Sequence, residues 1–272
     1  MELVAGRPFT GTVVAIKAFS DNYIWMLHDG QQAIVVDPGD ASPVLQALSA
    51  LSLRLAGILV THHHGDHVGG IEALRPHLHG PVYGPASEVI PQPCIGLHGG
   101  DTVDLLGLHF QVIDVPGHTA GHIAYFLEHA ADADAPALFC GDTLFSAGCG
   151  RLFEGTAAQM HASLKTLAAL PAATRVFCTH EYTLSNLRFA RAVEPANLAL
   201  AEHETWAIAQ REQDLSTLPS SLALELQINP FLRCSEPAVI AAAASIHPSV
   251  TPAELSPDTT FARLRAWKNE FR

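Results

Sequence analysis

Between residue 12 and about residue 180 the chain alternates short apolar runs with polar breaks rich in Gly, Pro and Asp. The runs "TVVAIKAF", "YIWML", "AIVVD", "GILVT", "HFQVIDV", "IAYFL", "ALFCGD" and "RVFCT" are rich in Val, Ile and aromatic residues, which predicts strands. Helical patterns lie between some of them. "SPVLQALSALS" opens with Ser42 as a candidate N-cap and Pro43 at the first helical position. "TAAQMHASLKTLAAL" opens with Thr156 and Gln159 in capping-box spacing. Strands interleaved with helices in this order predict an α/β domain of sheets covered by helices. Beyond residue 182 the strand signal fades. Segments near 184–193, 197–213, 220–227, 236–245 and 258–271 read as helices punctuated by Pro195, Pro219, Pro230, Pro237, Pro252 and Pro257. The expected organisation is residues 1–182 as one domain and residues 183–272 as a small helical one.

The apolar run "AGILV" is expected to be a buried strand ending near Thr61, and "THHHGDHVGG" follows it. Ligands at a strand's end sit where open α/β sheets place their sites. In extended backbone, side chains two apart point the same way, so His62 and His64 can face one ion and His63 points away as a non-ligand. Gly65 is expected to permit a sharp turn, Asp66 and His67 to address a second position, and Gly69 and Gly70 to let the next helix pack closely. Three later stretches repeat the pattern of a strand followed by a coordinating residue: His118 in "DVPGHTAGH", Asp142 in "LFCGDTLF" and His180 in "RVFCTHEYT". These seven groups exceed what one tetrahedral ion needs. Two ions could take three ligands each and share one bridging carboxylate. A structural zinc site is usually a closed, Cys-rich set of four. Nitrogen and oxygen donors suit zinc, iron or manganese in an open, reactive site. His122, four after His118, is expected to pack or to support a ligand rather than to bind an ion itself. The remaining histidines, including His247, carry no spacing signal.

Composition narrows the partners. Apolar residues make up 48% of the chain and charged residues 15%, a globular balance. The formal net charge of −12 disfavours a nucleic-acid partner. An anionic substrate would therefore need a few specific basic residues. No apolar run is long enough to span a bilayer, which takes ~18 residues or more. The opening "MELVAGRPFTGTVVAIKAF" lacks the layout of a secretory leader, so the expected location is the cytoplasm, without membrane contact. The five cysteines are Cys94, Cys140, Cys149, Cys178 and Cys234, with no C-x-x-C pair, and fit reduced thiols.

The stretch His62, His64, Asp66, His67 resembles the His-x-His-x-Asp-His signature of the metallo-β-lactamase superfamily. "FSDNYIW" at 19–25, "PGHTAGHI" at 116–123, "GDTLFSAGCGRLFEGT" at 141–156, "THEYT" at 179–183 and "NPFLR" at 229–233 are similar to the glyoxalase II (hydroxyacylglutathione hydrolase) family over nearly the whole chain. The resemblance implies an αββα sandwich followed by a helical domain that helps hold glutathione. It implies that His62, His64 and His118 bind a first metal, that Asp66, His67 and His180 bind a second, and that Asp142 bridges them. The ions would be zinc, with iron or manganese as alternatives. It places glutathione against Arg151, position 153, Tyr182, Arg265 and Lys268; position 153 is Phe here, without the phenolic hydroxyl of some members. The implied reaction hydrolyses S-(2-hydroxyacyl)glutathione, typically S-D-lactoylglutathione, in methylglyoxal detoxification. A hydroxide held between the ions would attack the thioester, with Asp66 orienting it and Asp142 spacing the ions. The expected working form is a monomer acting on a small-molecule thioester. Rival readings are another hydrolase of the superfamily, a one-iron persulfide dioxygenase, against which the long helical extension argues, and a non-catalytic metal-binding protein.

Overall fold

The computed structural model describes residues 11–129, 135–246 and 250–271; residues 1–10, on which the expectation about a leader falls, and His247 lie outside the described residues. The chain divides into two compact units, Met1–Asp114 with Gly121–Gly141, and Val115–Ala120 with Asp142–Arg272.

The first unit holds two layers of strands. One sheet runs in the order β1 (Thr12–Ala18), β2 (Asn22–His28), β3 (Gln32–Val36), β4 (Arg54–Leu59), β5 (Val82–Pro85), β6 (Ile95–Leu97). Its first three strands are antiparallel and β3 to β6 are parallel. Helix α1 (Ala41–Ala50) connects β3 to β4, and the short helices α2 (Gly65–Val68) and α3 (Ile71–Leu74) lie between β4 and β5. The other strands form an antiparallel meander: β7 (Thr102–Leu105), β8 (Leu108–Asp114), β9 (Ile123–Leu127) and β10 (Ala137–Gly141). The sequence pattern reports the burial. β9 and β10 are buried at every position, as their uninterrupted apolar runs require, whereas β8 alternates Leu108, Phe110 and Val112 inward with His109 and Gln111 outward. The Tyr125 hydroxyl on β9 donates to Val60 O beyond β4 at 2.9 Å and ties the layers. Met26, Val35, Ile58 and Val60 of the first sheet join Val44 and Leu48 of α1 and Ile71 and Leu74 of α3 in one core. Each such side chain contributes roughly 1.5–3 kcal/mol on burial.

Three local details bear on the ligand loop. Helix α1 begins at Ala41 and is capped by Asp40, whose Oδ1 accepts from Ser42 N at 2.8 Å. The expectation of a Ser42 cap is therefore corrected: the carboxylate two residues earlier takes the role, and Pro43 sits within the first turn, where its missing N–H has no partner to lose. Gly65 opens α2 outside the left-handed region, at the point where the extended backbone of His64 gives way to the helix. Gly70 does what the sequence suggests. A Cβ there would stand 2.5 Å from Pro38 O and 2.7 Å from Ala41 N, so only glycine allows this approach.

The second unit contains a two-stranded hairpin, β11 (Leu144–Phe145) with β12 (Gly148–Cys149), and then α4 (Ala157–Ala168). Thr156 and Gln159 form the expected capping box at the start of α4. β13 (Arg175–Cys178) pairs antiparallel with β14 (Ser220–Ser221), the one strand among the described residues of the expected helical stretch. The helices are α5 (Thr183–Val193), α6 (Leu198–Glu212), α7 (Leu222–Ile228), α8 (Pro237–Ser245) and α9 (Pro257–Glu270), close to the segments read from the sequence. Leu187 and Ala190 of α5, Leu200 and Ala207 of α6 and Ile228 of α7 form a core beneath Ala147 of the hairpin. Phe189 stacks on Phe231 at 5.8 Å and meets Trp267 edge-on at 5.0 Å, anchoring α9. Among the described residues, no helix is long and apolar enough to cross a membrane.

Candidate metal centre and thiol arm

The parallel pairing of β3 with β4 brings Asp37 and Thr61, each just past its strand, to the same edge of the sheet. Asp37 N donates to Leu59 O at 2.9 Å, and the Asp37 carboxylate accepts from Thr61 N and Thr61 Oγ1, both at 2.8 Å. From this anchor the ligand loop departs. His62 is fully buried, and its Nε2 lies 3.1 Å from His64 Nδ1, so the two imidazoles do face one point. His67 is fully buried on α2, with Nε2 3.6 Å from Asp66 Oδ2. Asp66 is steadied by Asn22, whose Nδ2 donates to Asp66 Oδ2 at 3.0 Å. His63 turns to Glu88: its backbone N and its ring Nδ1 meet Glu88 Oε2 at 2.7 and 2.8 Å. His122 stacks on His62 with ring centres 4.5 Å apart and places Nδ1 3.0 Å from Ile123 O.

The second unit supplies the other three expected ligands. Asp142 Oδ2 lies 3.4 Å from His118 Nε2 and 3.3 Å from His180 Nε2. One carboxylate oxygen thus stands between two imidazoles, the placement a bridging ligand needs. His118 is held by its other nitrogen, Nδ1, which donates to Arg151 O at 2.8 Å. His180 stacks flat on Tyr182 at 4.6 Å and meets Phe145 edge-on.

These spacings test whether the residues fit a divalent ion. Two donors ~2.0–2.1 Å from one tetrahedral zinc stand roughly 3.3–3.4 Å apart. The four within-unit separations, 3.1, 3.6, 3.4 and 3.3 Å, bracket that value. The tautomers also fit, because a ligating imidazole must keep one nitrogen free of a proton. His67 places Nδ1 3.0 Å from Asp37 Oδ2 and Nε2 3.6 Å from Asp66 Oδ2, so its two nitrogens face different carboxylates. His62 Nδ1 lies 3.1 Å from Thr61 Oγ1, whose own proton goes to Asp37. The residues fit. Asp37, Asn22 and Glu88 escaped the sequence reading because each works across more than twenty residues and none belongs to a short spacing pattern.

The five expected thiol-side residues all lie in the second unit. Arg151 and Phe153 are exposed, and Phe153 meets His118 edge-on at 5.3 Å. Tyr182 is 38% exposed. Arg265 is buried, and Nη1 donates to Cys149 O at 2.9 Å and Gly150 O at 3.4 Å. Lys268 Nζ donates to Ser185 O at 3.0 Å and sits 5.3 Å from the Phe189 ring. Burial, aided by the positive charges of Arg265 and Arg188, lowers the Lys268 ammonium to a pKa of about 8. A lysine this desolvated gains from an anion placed beside it.

Comparison with known proteins adds family to geometry. The profile of the family described as "Metallo-beta-lactamase superfamily" matches residues 19–180, and that described as "Hydroxyacylglutathione hydrolase C-terminus" matches residues 181–271. A hydroxyacylglutathione hydrolase from Albidiferax ferrireducens is 60% identical over 260 residues, which cover 95% of this chain and 99% of that one. The crystal structure of ETHE1 from Myxococcus xanthus matches with a TM-score of 0.61 at 23% identity, covering 96% of this chain and 99% of that one. TTHA1623, crystallised in a di-iron-bound form, matches with a TM-score of 0.56 at 27% identity, covering 81% of this chain and all of that one. The ETHE1 match extends over almost the whole chain, so chain length does not separate it from the hydrolases. Sequence identity does.

Proposed function

The chain belongs to the hydroxyacylglutathione hydrolase family of the metallo-β-lactamase superfamily, and on that premise we propose how its own residues carry out the hydrolysis. The fold is the expected one, a metallo-β-lactamase fold with a C-terminal helical domain, and the superfamily and the His/Asp clusters support divalent metal binding. The proposal assigns His62, His64 and His118 to one ion, Asp66, His67 and His180 to a second, and Asp142 to both. Zinc suits this donor set best, with iron or manganese as alternatives. Bound ions supply a water whose pKa falls from 15.7 toward ~7 and a positive charge for the reacting carbonyl.

The remaining roles belong to the chain. Asp66, held by Asn22 Nδ2 at 3.0 Å, orients the attacking water. Asp142, with one oxygen 3.3 and 3.4 Å from two imidazoles, fixes the spacing of the site. Arg151, Phe153, Tyr182, Arg265 and Lys268 hold the glutathione portion, with Lys268 as a direct charge partner and Arg265 bracing the backbone at 149–150. In the reaction a C–O bond forms, the C–S bond breaks, and the electron pair leaves on sulfur. A thiol has an ordinary pKa of ~8.5, so this leaving group departs without a strong general acid. The substrate is S-(2-hydroxyacyl)glutathione, typically S-D-lactoylglutathione, and the products are glutathione and a 2-hydroxy acid. In this reading residues 1–182 carry the catalytic ligands and residues 183–272 contribute to glutathione binding. The protein works as a monomer in the cytoplasm, where its five free cysteines stay reduced.

The observation that carries the reading is the pairing of like donor spacings in both units with a family match at 60% identity. Hydrolysis of S-D-lactoylglutathione by the purified protein, with and without a chelator, tests it. Chelator-sensitive release of glutathione is expected. Oxygen uptake with glutathione persulfide and no thioester hydrolysis would replace this reading with the dioxygenase one.

A further inference from the structure

Glu225 lies on α7 with no exposed surface and takes no part in the roles above. Its Oε2 accepts from Ala147 N at 2.8 Å and from Asn229 Nδ2 at 3.0 Å, and its Oε1 accepts from the Ser220 hydroxyl. Asn229 is equally buried, and its Nδ2 reaches Phe145 O at 3.1 Å and Gly148 O at 2.9 Å. Glu225 and Asn229, one helical turn apart, therefore grip the backbone of the β11–β12 hairpin at Phe145, Ala147 and Gly148. Ala147 holds a left-handed φ of 53°, a conformation that an alanine keeps only when its surroundings impose it. Gly150 N donates to Thr143 O at 3.1 Å and closes the hairpin's base.

The two ends of this hairpin carry different chemistry. Asp142 stands two residues before Leu144, and Arg151 stands two residues after Cys149. Burying a carboxylate is costly unless it is fully hydrogen-bonded, and an apolar residue would fill the same space without that cost. A carboxylate here provides what an apolar side chain cannot, an acceptor for the Ala147 N–H. We propose that Glu225 is a positioning residue: through Asn229 and the hairpin backbone it fixes Asp142 and Arg151 relative to each other, and so couples the metal side to the thiol side. The inference rests on the family reading for the roles of those two residues.

Two affinities read the coupling without any turnover. Metal affinity comes from competition with a chromophoric chelator, and glutathione affinity from calorimetry on the full chain, with a thermal melt to report folding. Glu225→Ala is expected to weaken both, each on the order of tenfold, the range of outer-sphere substitutions at metal sites. Glu225→Gln is expected to keep both within about twofold, because its amide oxygen can accept from Ala147 N while its NH2 donates to Ser220 Oγ. If Glu225→Ala folds poorly, Asn229→Ser reads the same two affinities, since it removes the amide that reaches Phe145 O and Gly148 O, together with its bonds to Glu225 Oε2 and Phe231 N, and leaves the Glu225 bond to Ala147 N in place. A folded variant that lowers the melting temperature and leaves both affinities unchanged overturns the proposal. Wild-type protein that binds no glutathione overturns the thiol half of the family reading instead, and the chelator competition still decides the metal half of the coupling.

Discussion

Lys268 makes the thiol side of the account sensitive to pH. Its pKa of about 8 reflects burial first, then the charges of Arg265 and Arg188. The sign follows directly: the ammonium is charged below that pKa and neutral above it. It is roughly 90% charged at pH 7 and roughly 10% charged at pH 9, so a KM that depends on the charged form rises about tenfold over that interval. The charge pair sets an upper bound. A hydrogen bond to a charged group contributes about 1.5–3 kcal/mol, or roughly 10- to 150-fold, which sets the rise over that interval between about fivefold and tenfold. The assay is thiol release from S-D-lactoylglutathione from about pH 6.5 to about pH 9.5, corrected for spontaneous hydrolysis, with kcat and KM separated at each pH. Lys268→Arg supplies the control, since a guanidinium stays charged throughout and should flatten the rise. A flat KM in the wild type, or the same slope in Lys268→Arg, removes Lys268 from substrate binding.

Other expectations follow from single contacts. Asp37→Asn replaces the carboxylate that accepts from Thr61 Oγ1 and faces His67 Nδ1 at 3.0 Å, and metal affinity measured by chelator competition should fall about 10- to 100-fold. Gly70→Ala puts a Cβ 2.5 Å from Pro38 O, against backbone that cannot move cheaply, and chemical denaturation should show a loss of roughly 1–3 kcal/mol or more. Arg265→Ala removes the bracing of Cys149 O and Gly150 O, so KM should rise more than kcat falls; an unchanged KM with a lower melting temperature would return Arg265 to a purely structural role.

What the sequence made legible follows from periodicity and spacing. Long apolar runs such as those of β2, β9 and β10 announced buried strands because nothing interrupts them. β5, β6 and β7 escaped because they are three or four residues long and two of them contain glycine or proline. The cluster at 62–67 was readable because extended backbone turns side chains two apart the same way, and His62 and His64 do approach to 3.1 Å, although both lie past the end of β4. The residues that orient it were not, because Asp37 and Glu88 reach the loop from 24 and 25 residues away. No sequence pattern marks Arg265 as buried, because the carbonyls it meets lie more than a hundred residues away; only packing reveals its guanidinium against the 149–150 backbone. The helix cap at Asp40 was missed for a smaller reason, since Ser42 and Pro43 form the more familiar pattern and a carboxylate two residues upstream outcompetes them.

The central claim is that two ions share one carboxylate, and stoichiometry tests it most directly. Protein stripped of metal is titrated with zinc while bound metal and hydrolysis of S-D-lactoylglutathione are measured on the same samples, for the wild type and Asp142→Ala. The account predicts that full activity requires two equivalents per chain in the wild type, and that Asp142→Ala loses bound metal and turnover together by orders of magnitude. Full wild-type activity at one equivalent, or an Asp142→Ala variant that keeps two ions and normal turnover, would contradict it.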